Sequence, residues 1–174
     1  MAMAECLGAR LEVVLARKLA VPASPETGFG AVALDGSVVL NHALISYYGI
    51  TTHEIDRIVA ETRRELLRRS WRYSESAGRL DLSGRAVFVV DDGLATGYTV
   101  MSAARMVRSQ LPRSVVLAVP VATAQTLKLV ESEFDQVHCF ICQDSSPFAV
   151  ASHYGHFPDL ADEEVQTILQ QHER

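Results

Sequence analysis

The sequence predicts a single α/β domain with a parallel sheet, and three observations support this fold class. The chain has 174 residues, 48% of them hydrophobic, which gives one domain enough apolar side chains for a core. Its apolar runs are short and rich in β-branched residues, as strands are. Segments with helical periodicity alternate with these runs, and this order is typical of parallel strands joined by right-handed crossovers.

Four apolar runs are the expected strands, and we expect each of them to be buried on both faces. They occupy residues 11–16, 87–90, 115–119 and 136–141. The flanking helices are expected at residues 99–110, 124–133 and 162–171.

An inserted unit of about residues 24–80 is expected to hold a β-hairpin and a long helix. Residues 29–34 and 37–41 flank Asp35-Gly36, the commonest two-residue hairpin turn, so this hairpin is expected to lie apart from the main sheet. Thr51 and Glu54 have the spacing of a capping box and begin a helix that should reach about Trp71. Its apolar stripe consists of Ile55, Ile58, Val59, Thr62 and Leu66.

The charge of the chain argues against a nucleic-acid coat. The formal net charge is -5, and the isoelectric point is near 5.6, so the field of the whole molecule repels polyanions. The long helix carries arginines that suggest an anion-binding face, but glutamates at pairing distance favour a solvated surface. The arginines are Arg57, Arg63, Arg64, Arg68, Arg69 and Arg72, and the expected pairs are Glu61–Arg64, Glu65–Arg68 and Glu65–Arg69.

The compartment expected from the sequence is the cytoplasm. No apolar run approaches the ~20 residues of a membrane-spanning helix, and the first ten residues lack the order of a signal peptide. Three cysteines do not make a disulfide framework, so we expect reduced thiols.

Residues 87–99 carry the pattern that points to chemistry. A strand ends in Asp91 and Asp92, and a turn rich in glycine and threonine leads directly into a helix. Free backbone N–H groups and the positive end of the helix dipole suit a phosphate, and Thr96 and Thr99 add hydroxyl donors. The two acids suit ribose hydroxyls or, through water, Mg²⁺ on a pyrophosphate.

The alternative interpretation of these residues is structural. An acid after a strand can cap the next helix, and a glycine can simply turn the chain. One cap explains one acid, whereas two adjacent acids followed by Thr96-Gly97-Tyr98-Thr99 favour a binding site.

The thirteen residues VFVVDDGLATGYT resemble the phosphoribosyl-pyrophosphate (PRPP) motif of type I phosphoribosyltransferases. The resemblance also includes ARKLAVPASPETGFGAVALDGSVVLN, AVPVA and FAVASHYGHFPDLADEEV, and it covers most of residues 8–170. It implies a parallel-sheet phosphoribosyltransferase fold and a Mg²⁺-dependent transfer to an acceptor, usually a base nitrogen, with release of pyrophosphate. The implied PRPP-binding residues are Asp91, Asp92, Gly93, Leu94, Ala95, Thr96, Gly97, Tyr98 and Thr99, with Asp91 and Asp92 also the magnesium residues.

Arg17 and Lys18 are the expected catalytic residues. They follow the run 11–16 at the expected carboxyl end of a strand, where ligands of parallel sheets bind. The resemblance implies contact with pyrophosphate, whose charge grows as it leaves. The alternative is a surface cation pair.

The chain departs from the family pattern at its start. It shows neither the first strand nor the Pro-Arg-Gly-Gly-like pyrophosphate loop with which that pattern begins. In the fold of this family the first strand is expected between the strands at residues 11–16 and 87–90, so without it both would have an open edge. Open edges invite pairing with a second chain, and a homodimer is therefore expected. The rival to a transferase is a PRPP- or nucleotide-binding regulator without turnover, and the sequence does not identify the acceptor.

Two weaker patterns lie near the end of the chain. Cys139, Cys142, His153 and His156 suggest zinc, but their spacing misses the usual pattern, and the cysteines are expected on opposite faces of a strand. His153 and Tyr154 either line a base pocket or, for Tyr154, pack against Phe157.

Overall fold

Two three-stranded sheets with helices between and around them form the frame of the chain. The computed structural model describes residues 2–70, 81–144, 147–158 and 160–172. The strands are β1 Ala16–Val21, β2 Ser24–Ala33, β3 Val38–Leu40, β4 Ala86–Val90, β5 Ser114–Ala122 and β6 Gln136–Cys142. The helices are α1 Ala2–Leu7, α2 His42–Tyr48, α3 Thr52–Ser70, α4 Tyr98–Arg108, α5 Ala124–Val130 and α6 Asp162–His172.

The sheet β4-β5-β6 is parallel, which confirms the predicted α/β class. Its register places Phe88 beside Val116, and Val116 beside Gln136. The chain passes from β4 to β5 through α4, and from β5 to β6 through α5 and a 3-10 turn at Glu131–Glu133. The three helices expected around this sheet are therefore present, each with bounds within a few residues of the prediction.

The expectation that all of these strands are buried on both faces is wrong. Strand β5 is central and mostly buried, but Phe88 and Phe140 on its two neighbours are 43% and 89% exposed. Alternate residues of a strand point to opposite faces, and the helices cover the face that bears Val87 and Val89. The outer strands thus bury one face, although their composition is that of doubly covered strands.

The strand predicted at residues 11–16 is also displaced. Strand β1 begins at Ala16 and pairs antiparallel with β2, whereas residues 11–15 lie outside the strand. A strand needs a hydrogen-bonded neighbour, and β2 supplies one only from Ala16 onward, apart from the bond from Leu34 N–H to the Leu15 carbonyl. Arg17 and Lys18 therefore lie at the beginning of a strand and not at its carboxyl end.

The hairpin β2–β3 lies outside the parallel sheet, as predicted, but its loop has three residues. Ala33 and Ser37 close the loop, and Gly36 adopts φ +99°, the left-handed conformation of a turn with a bulge. Both the Ser37 N–H and the Ser37 hydroxyl donate to the Asp35 carboxylate, at 2.8 and 2.7 Å.

Helix α3 begins with the predicted capping box. The Thr51 N–H donates to Glu54 Oε2 at 2.9 Å, and the Glu54 N–H donates to Thr51 Oγ1 at 3.3 Å. The predicted end near Trp71, the residue Arg72 and the last part of the inserted unit fall in 71–80, outside the described residues. The short helix α2, capped by Asn41 and Gly49, was not predicted.

The charged residues of α3 form other contacts than expected. Glu61 pairs with Arg57, and Glu65 pairs with Arg17 of β1. Arg63 donates to the carbonyls of Leu34 and Asp35 in the hairpin loop. Glu65 and Arg63 thus fasten α3 to β1 and to the hairpin loop.

Helix α4 lies between the two sheets and belongs to the core on both sides. Seven of its eleven residues are buried, and its Val100, Ala104 and Val107 cluster with Leu117 of β5 and Val39 of β3. Arg105 donates to the Val38 carbonyl at 2.9 Å and forms an ion pair with Glu133. Within the described residues, no helix has both the length and the apolarity needed to cross a membrane.

The difference in burial between two large side chains of the parallel sheet predicts that truncation of one lowers the free energy of unfolding far more than truncation of the other. Leu117→Ala should destabilise the fold by about 2–4 kcal/mol, since Leu117 is 0% exposed in the core cluster. Phe140→Ala should change stability by less than about 0.5 kcal/mol, because this ring is 89% exposed. Urea unfolding of both variants measures the difference, and equal losses would contradict the one-sided burial of the sheet.

Candidate functional site

The segment between β4 and α4, residues 91–97, is called the acid loop and lies at the carboxyl end of a parallel strand. Leu94 is buried, and its N–H donates to the Val121 carbonyl at 2.9 Å, which joins the loop to β5. At Gly93, an added Cβ would come within 2.8 Å of side-chain carbons of Val121 and Val150. The loop is thus held close to the sheet, and Gly93 permits that approach.

Gly97 ends the acid loop and turns the chain into α4. Its φ is +77°, and an added Cβ would lie 2.6 Å from Val130 Cγ1. Both the backbone conformation and the space therefore require glycine. The first hydrogen bond of α4 runs from the Met101 N–H to the Gly97 carbonyl. The backbone N–H groups of the first turn therefore have no partner within the helix and point beyond its N-terminal end.

The threonine hydroxyl groups in and near the acid loop are either exposed to solvent or buried in a hydrogen bond. Thr96 and Thr99 are exposed, next to the helix N-terminus. Thr126 of α5 is buried and donates to the Ala95 carbonyl at 3.0 Å. The exposed hydroxyl groups can donate hydrogen bonds to a ligand, whereas the Thr126 hydroxyl fixes the backbone of the loop at Ala95.

The two carboxyl groups of the acid loop have raised pKa values. Burial raises the pKa of Asp91 to about 6, and the neighbouring charge of Asp92 adds to this shift, although Asp91 Oδ1 accepts the Asp92 N–H at 3.0 Å. Burial also raises the pKa of Asp92. Ionisation of both neighbouring carboxyl groups would cost free energy without a cation nearby. Raised pKa values of this kind are typical of acids that hold a ligand or a metal.

Two contacts of the loop were not predicted from the sequence: those of Thr126, which no pattern singled out, and of Tyr154, which was considered only for a base pocket or for packing on Phe157. The Tyr154 hydroxyl donates to the Asp92 carbonyl at 2.6 Å across 62 residues of chain. The N-cap of α5, Thr123, is the sequence signal that could have drawn attention to Thr126. The Thr123 hydroxyl contacts both the hydroxyl and the N–H of Thr126. No sequence pattern predicts a hydrogen bond from a side chain to a backbone carbonyl that is distant in sequence.

Arg17 and Lys18 contact the inserted unit. Arg17 forms a 2.5 Å ion pair with Glu65, and Lys18 Nζ donates to the Glu26 carbonyl at 2.9 Å. Within the described residues, neither side chain forms a hydrogen bond or an ion pair with residues 91–99. Asp91 to Thr99 thus form the acid loop and the first residues of α4, and a role for Arg17 and Lys18 at this loop stays a prediction.

His153, one of the four residues considered for zinc, has other contacts. His153 lies with Nε2 at 2.5 Å from Gln143 Oε1 and Nδ1 at 3.2 Å from the Ala149 carbonyl. The Tyr154 and Phe157 rings pack 5.0 Å apart, as one of the two sequence interpretations expects. Among residues 2–70, 81–144, 147–158 and 160–172, no group of three or more potential metal ligands is found.

Comparison with known proteins identifies relatives across most of the chain. Residues 34–154 match the family model of the phosphoribosyl transferase domain. Two Mycobacterium tuberculosis proteins, "Putative phosphoribosyl transferase MT0597" of strain CDC 1551 and "Putative phosphoribosyl transferase Rv0571c" of strain H37Rv, are each 35% identical over 96% of this chain. The chain spans 38% of the length of these curated relatives.

A solved structure has a similar fold. The crystal structure of TT1426 from Thermus thermophilus has 34% sequence identity and a TM-score of 0.75. The match covers 97% of this chain and 79% of that chain. Taken with the parallel sheet and the loop at the end of β4, these matches show that the chain belongs to the type I phosphoribosyltransferase family.

Proposed function

We propose that this protein binds PRPP together with Mg²⁺ and transfers the phosphoribosyl group to an acceptor, with release of pyrophosphate. The observation that carries the proposal is the acid loop, where two carboxyl groups with raised pKa values stand beside a helix N-terminus with free N–H groups. Family membership gives the class of reaction.

The end of the acid loop suits the 5'-phosphate. Gly97 leaves no side chain over the first turn of α4, so an anion can approach the outward N–H groups. Thr96 and Thr99 add exposed hydroxyl donors. The helix dipole stabilises negative charge at this point.

Asp91 and Asp92 suit the ribose hydroxyls and Mg²⁺. Carboxylate oxygens and water are the ligands that Mg²⁺ prefers, and a cation removes the cost of two ionised acids side by side. When bound, Mg²⁺ would neutralise charge on the pyrophosphate of PRPP. The acids themselves would orient the ribose by accepting hydrogen bonds from its hydroxyl groups.

In the proposed transfer, a nucleophilic nitrogen of the acceptor, for which we propose a nucleobase, forms a bond to C1 of the ribose. The bond from C1 to the pyrophosphate oxygen breaks, pyrophosphate leaves with that electron pair, and the nitrogen loses its proton to solvent. Arg17 and Lys18 are proposed to stabilise the leaving group. Both would first leave their present partners, Glu65 and the Glu26 carbonyl.

One observation favours the second candidate, a PRPP- or nucleotide-binding regulator without turnover. Arg17 and Lys18 are engaged with the inserted unit, whereas the acid loop is formed. Such a protein would bind PRPP through residues 91–99 alone and release no pyrophosphate.

We further propose that the protein is a cytoplasmic homodimer. Its three free cysteines fit a reducing compartment. In the described part of the chain, β4 has β5 as its single strand neighbour, and Phe88 and Val90 on β4 are exposed. An apolar edge strand of this kind favours pairing with a second copy.

Calorimetric titration of PRPP tests the proposed site. Binding should require Mg²⁺, and Asp92→Asn should weaken it by more than about tenfold, because a charge-assisted contact to the metal or the ribose is lost. Release of pyrophosphate in the presence of candidate nucleobases then separates the transferase from the regulator.

Asp56→Asn is the matched control for this titration, since Asp56 is an exposed residue of α3. Its affinity for PRPP should equal that of the wild type. Equal affinities of Asp92→Asn and Asp56→Asn would reject the assignment of the acid loop.

The raised pKa of Asp91 predicts a pH-dependent gain of stability on neutralisation. The folded pKa of about 6 exceeds the ordinary 3.8, so the ionised form is penalised in the fold. The penalty is absent well below pH 3.8, grows as the pH rises from 3.8 to about 6, and is complete above pH 6. Asp91→Asn should therefore stabilise the ligand-free protein by about 1–2 kcal/mol at pH 7.5, after a discount for solvent screening, and by much less at pH 4.5.

Urea unfolding at the two pH values measures this gain. Asn can still accept the Asp92 N–H that Asp91 Oδ1 accepts, so the substitution removes the charge and keeps the loop contact. Asp56→Asn again provides the control and should show no pH-dependent gain. A gain of equal size at both pH values would contradict a raised Asp91 pKa.

The proposed dimer is tested by light scattering at about 10 μM protein. The wild type should have twice the mass of the chain, and Phe88→Lys should be monomeric, because a charge on an edge strand opposes pairing. Tyr47→Lys, at a side chain that is 80% exposed on α2, should remain dimeric. A monomeric wild type at this concentration contradicts the dimer.

A further inference from the structure

The back of the acid loop contacts a segment that lies far away in sequence, residues 148–157, which we call the aromatic segment. The Tyr154 hydroxyl donates to the Asp92 carbonyl at 2.6 Å. Val150, in the 3-10 turn Val150–His153, has its methyl carbons 2.8 and 2.9 Å from where a Cβ on Gly93 would be. The peptide group between Asp92 and Gly93 is thus held by two residues of one segment.

The aromatic segment is itself fixed, so it can act as a support. The Tyr154 ring packs on Phe157 with centroids 5.0 Å apart. His153 lies with Nε2 at 2.5 Å from Gln143 Oε1 and packs against the Phe148 ring at 5.6 Å. The phenol therefore reaches the acid loop from a segment that His153 joins to Gln143, the residue after β6.

The Asp92 carboxylate depends on this support more than its neighbours do. Leu94 is fixed by its hydrogen bond to β5, and Asp91 accepts the Asp92 N–H. Within the described residues, no hydrogen bond or ion pair joins the Asp92 carboxylate to another residue. Its direction is consequently set by the backbone, whose carbonyl is held by Tyr154.

We propose that Tyr154 is a positioning residue, which orders the Asp92–Gly93 peptide so that the Asp92 carboxylate faces the ligand. This inference rests on the proposed function where it concerns PRPP, but the ordering of the loop does not depend on any ligand. A site that is correctly shaped only part of the time binds more weakly in proportion to that fraction. Loss of one neutral hydrogen bond should therefore weaken Mg²⁺-dependent PRPP binding by about three- to tenfold.

The test is Tyr154→Phe, which removes the hydroxyl and keeps the ring on Phe157. Three measurements apply: amide hydrogen exchange of the ligand-free protein, calorimetric titration with PRPP and Mg²⁺, and the thermal midpoint. We expect faster exchange at Gly93 and Leu94, weaker binding by the stated factor, and a thermal midpoint within about 2 °C of the wild type.

Tyr47→Phe is the matched control, since it removes a hydroxyl from a tyrosine that is 80% exposed on α2. It should leave exchange, affinity and thermal midpoint unchanged. Its behaviour shows whether any effect of Tyr154→Phe belongs to that position.

Four outcomes would overturn the inference. Unchanged exchange and affinity remove the positioning role, and faster exchange with unchanged affinity removes its importance for binding. Weaker binding with unchanged exchange would mean that the hydroxyl acts on the ligand directly. Faster exchange throughout the protein with a lower thermal midpoint would mean a general structural role.

The failure of this inference is distinguishable from the failure of the proposed function. A wild-type protein that binds no PRPP contradicts the proposed function whatever the variant does. In that case the exchange measurement still decides whether Tyr154 orders Gly93 and Leu94, and unchanged exchange would overturn that ordering by itself.

Discussion

The burial of α4 between the two sheets is the constraint on which the site depends. Side chains as small as Ser102, Ala103 and Ala104 let the helix lie close to both sheets, and all three are buried. A helix packed on two sides cannot shift along its axis without breaking both contacts. Its first turn is therefore fixed relative to the end of β4, and residues 91–97 must bridge that distance. The glycines at 93 and 97 follow from this, since the chain passes too close to Val121, Val150 and Val130 for a side chain.

The same fixed geometry concentrates charge that the fold by itself does not favour. Burial raises the pKa of Asp91 to about 6, although its oxygen accepts a backbone N–H that lowers the pKa. A fold selected for stability alone would place a neutral residue there, because a partly buried acid beside another acid costs free energy at neutral pH. The proposed Mg²⁺ and ribose would offset this cost by completing the site. The free N–H groups of the first turn of α4 would then balance the phosphate of the same proposed ligand.

The sequence predicts the family and the local segments of this protein better than its packing. Strand β4, the acid loop and α4 lie in one continuous segment, and the Thr51–Glu54 capping box is local too, so short-range patterns suffice for both. Strand β1 was misplaced because residues 11–15 have the composition of a strand, whereas strand formation depends on where β2 offers a partner. The exposure of Phe88 and Phe140 depends on which layers cover the sheet, which no strand encodes by itself. The hydrogen bond from Tyr154 to Asp92 was not predicted because it joins residues 62 positions apart.

The ion pair between Arg17 and Glu65 is weak enough for Arg17 to exchange it for the proposed pyrophosphate. The Arg17–Glu65 pair is nearly half exposed on both sides, with relative accessibilities of 44% and 46%. Exposed ion pairs contribute about 0–1 kcal/mol, so a pyrophosphate group with several charges can compete for Arg17 at little cost. The partner that would be released, Glu65, lies on α3, and α3 is fastened to the hairpin loop through Arg63. An exchange of partners by Arg17 would therefore change the contact between β1 and α3, and it would leave the acid loop and α4 in place.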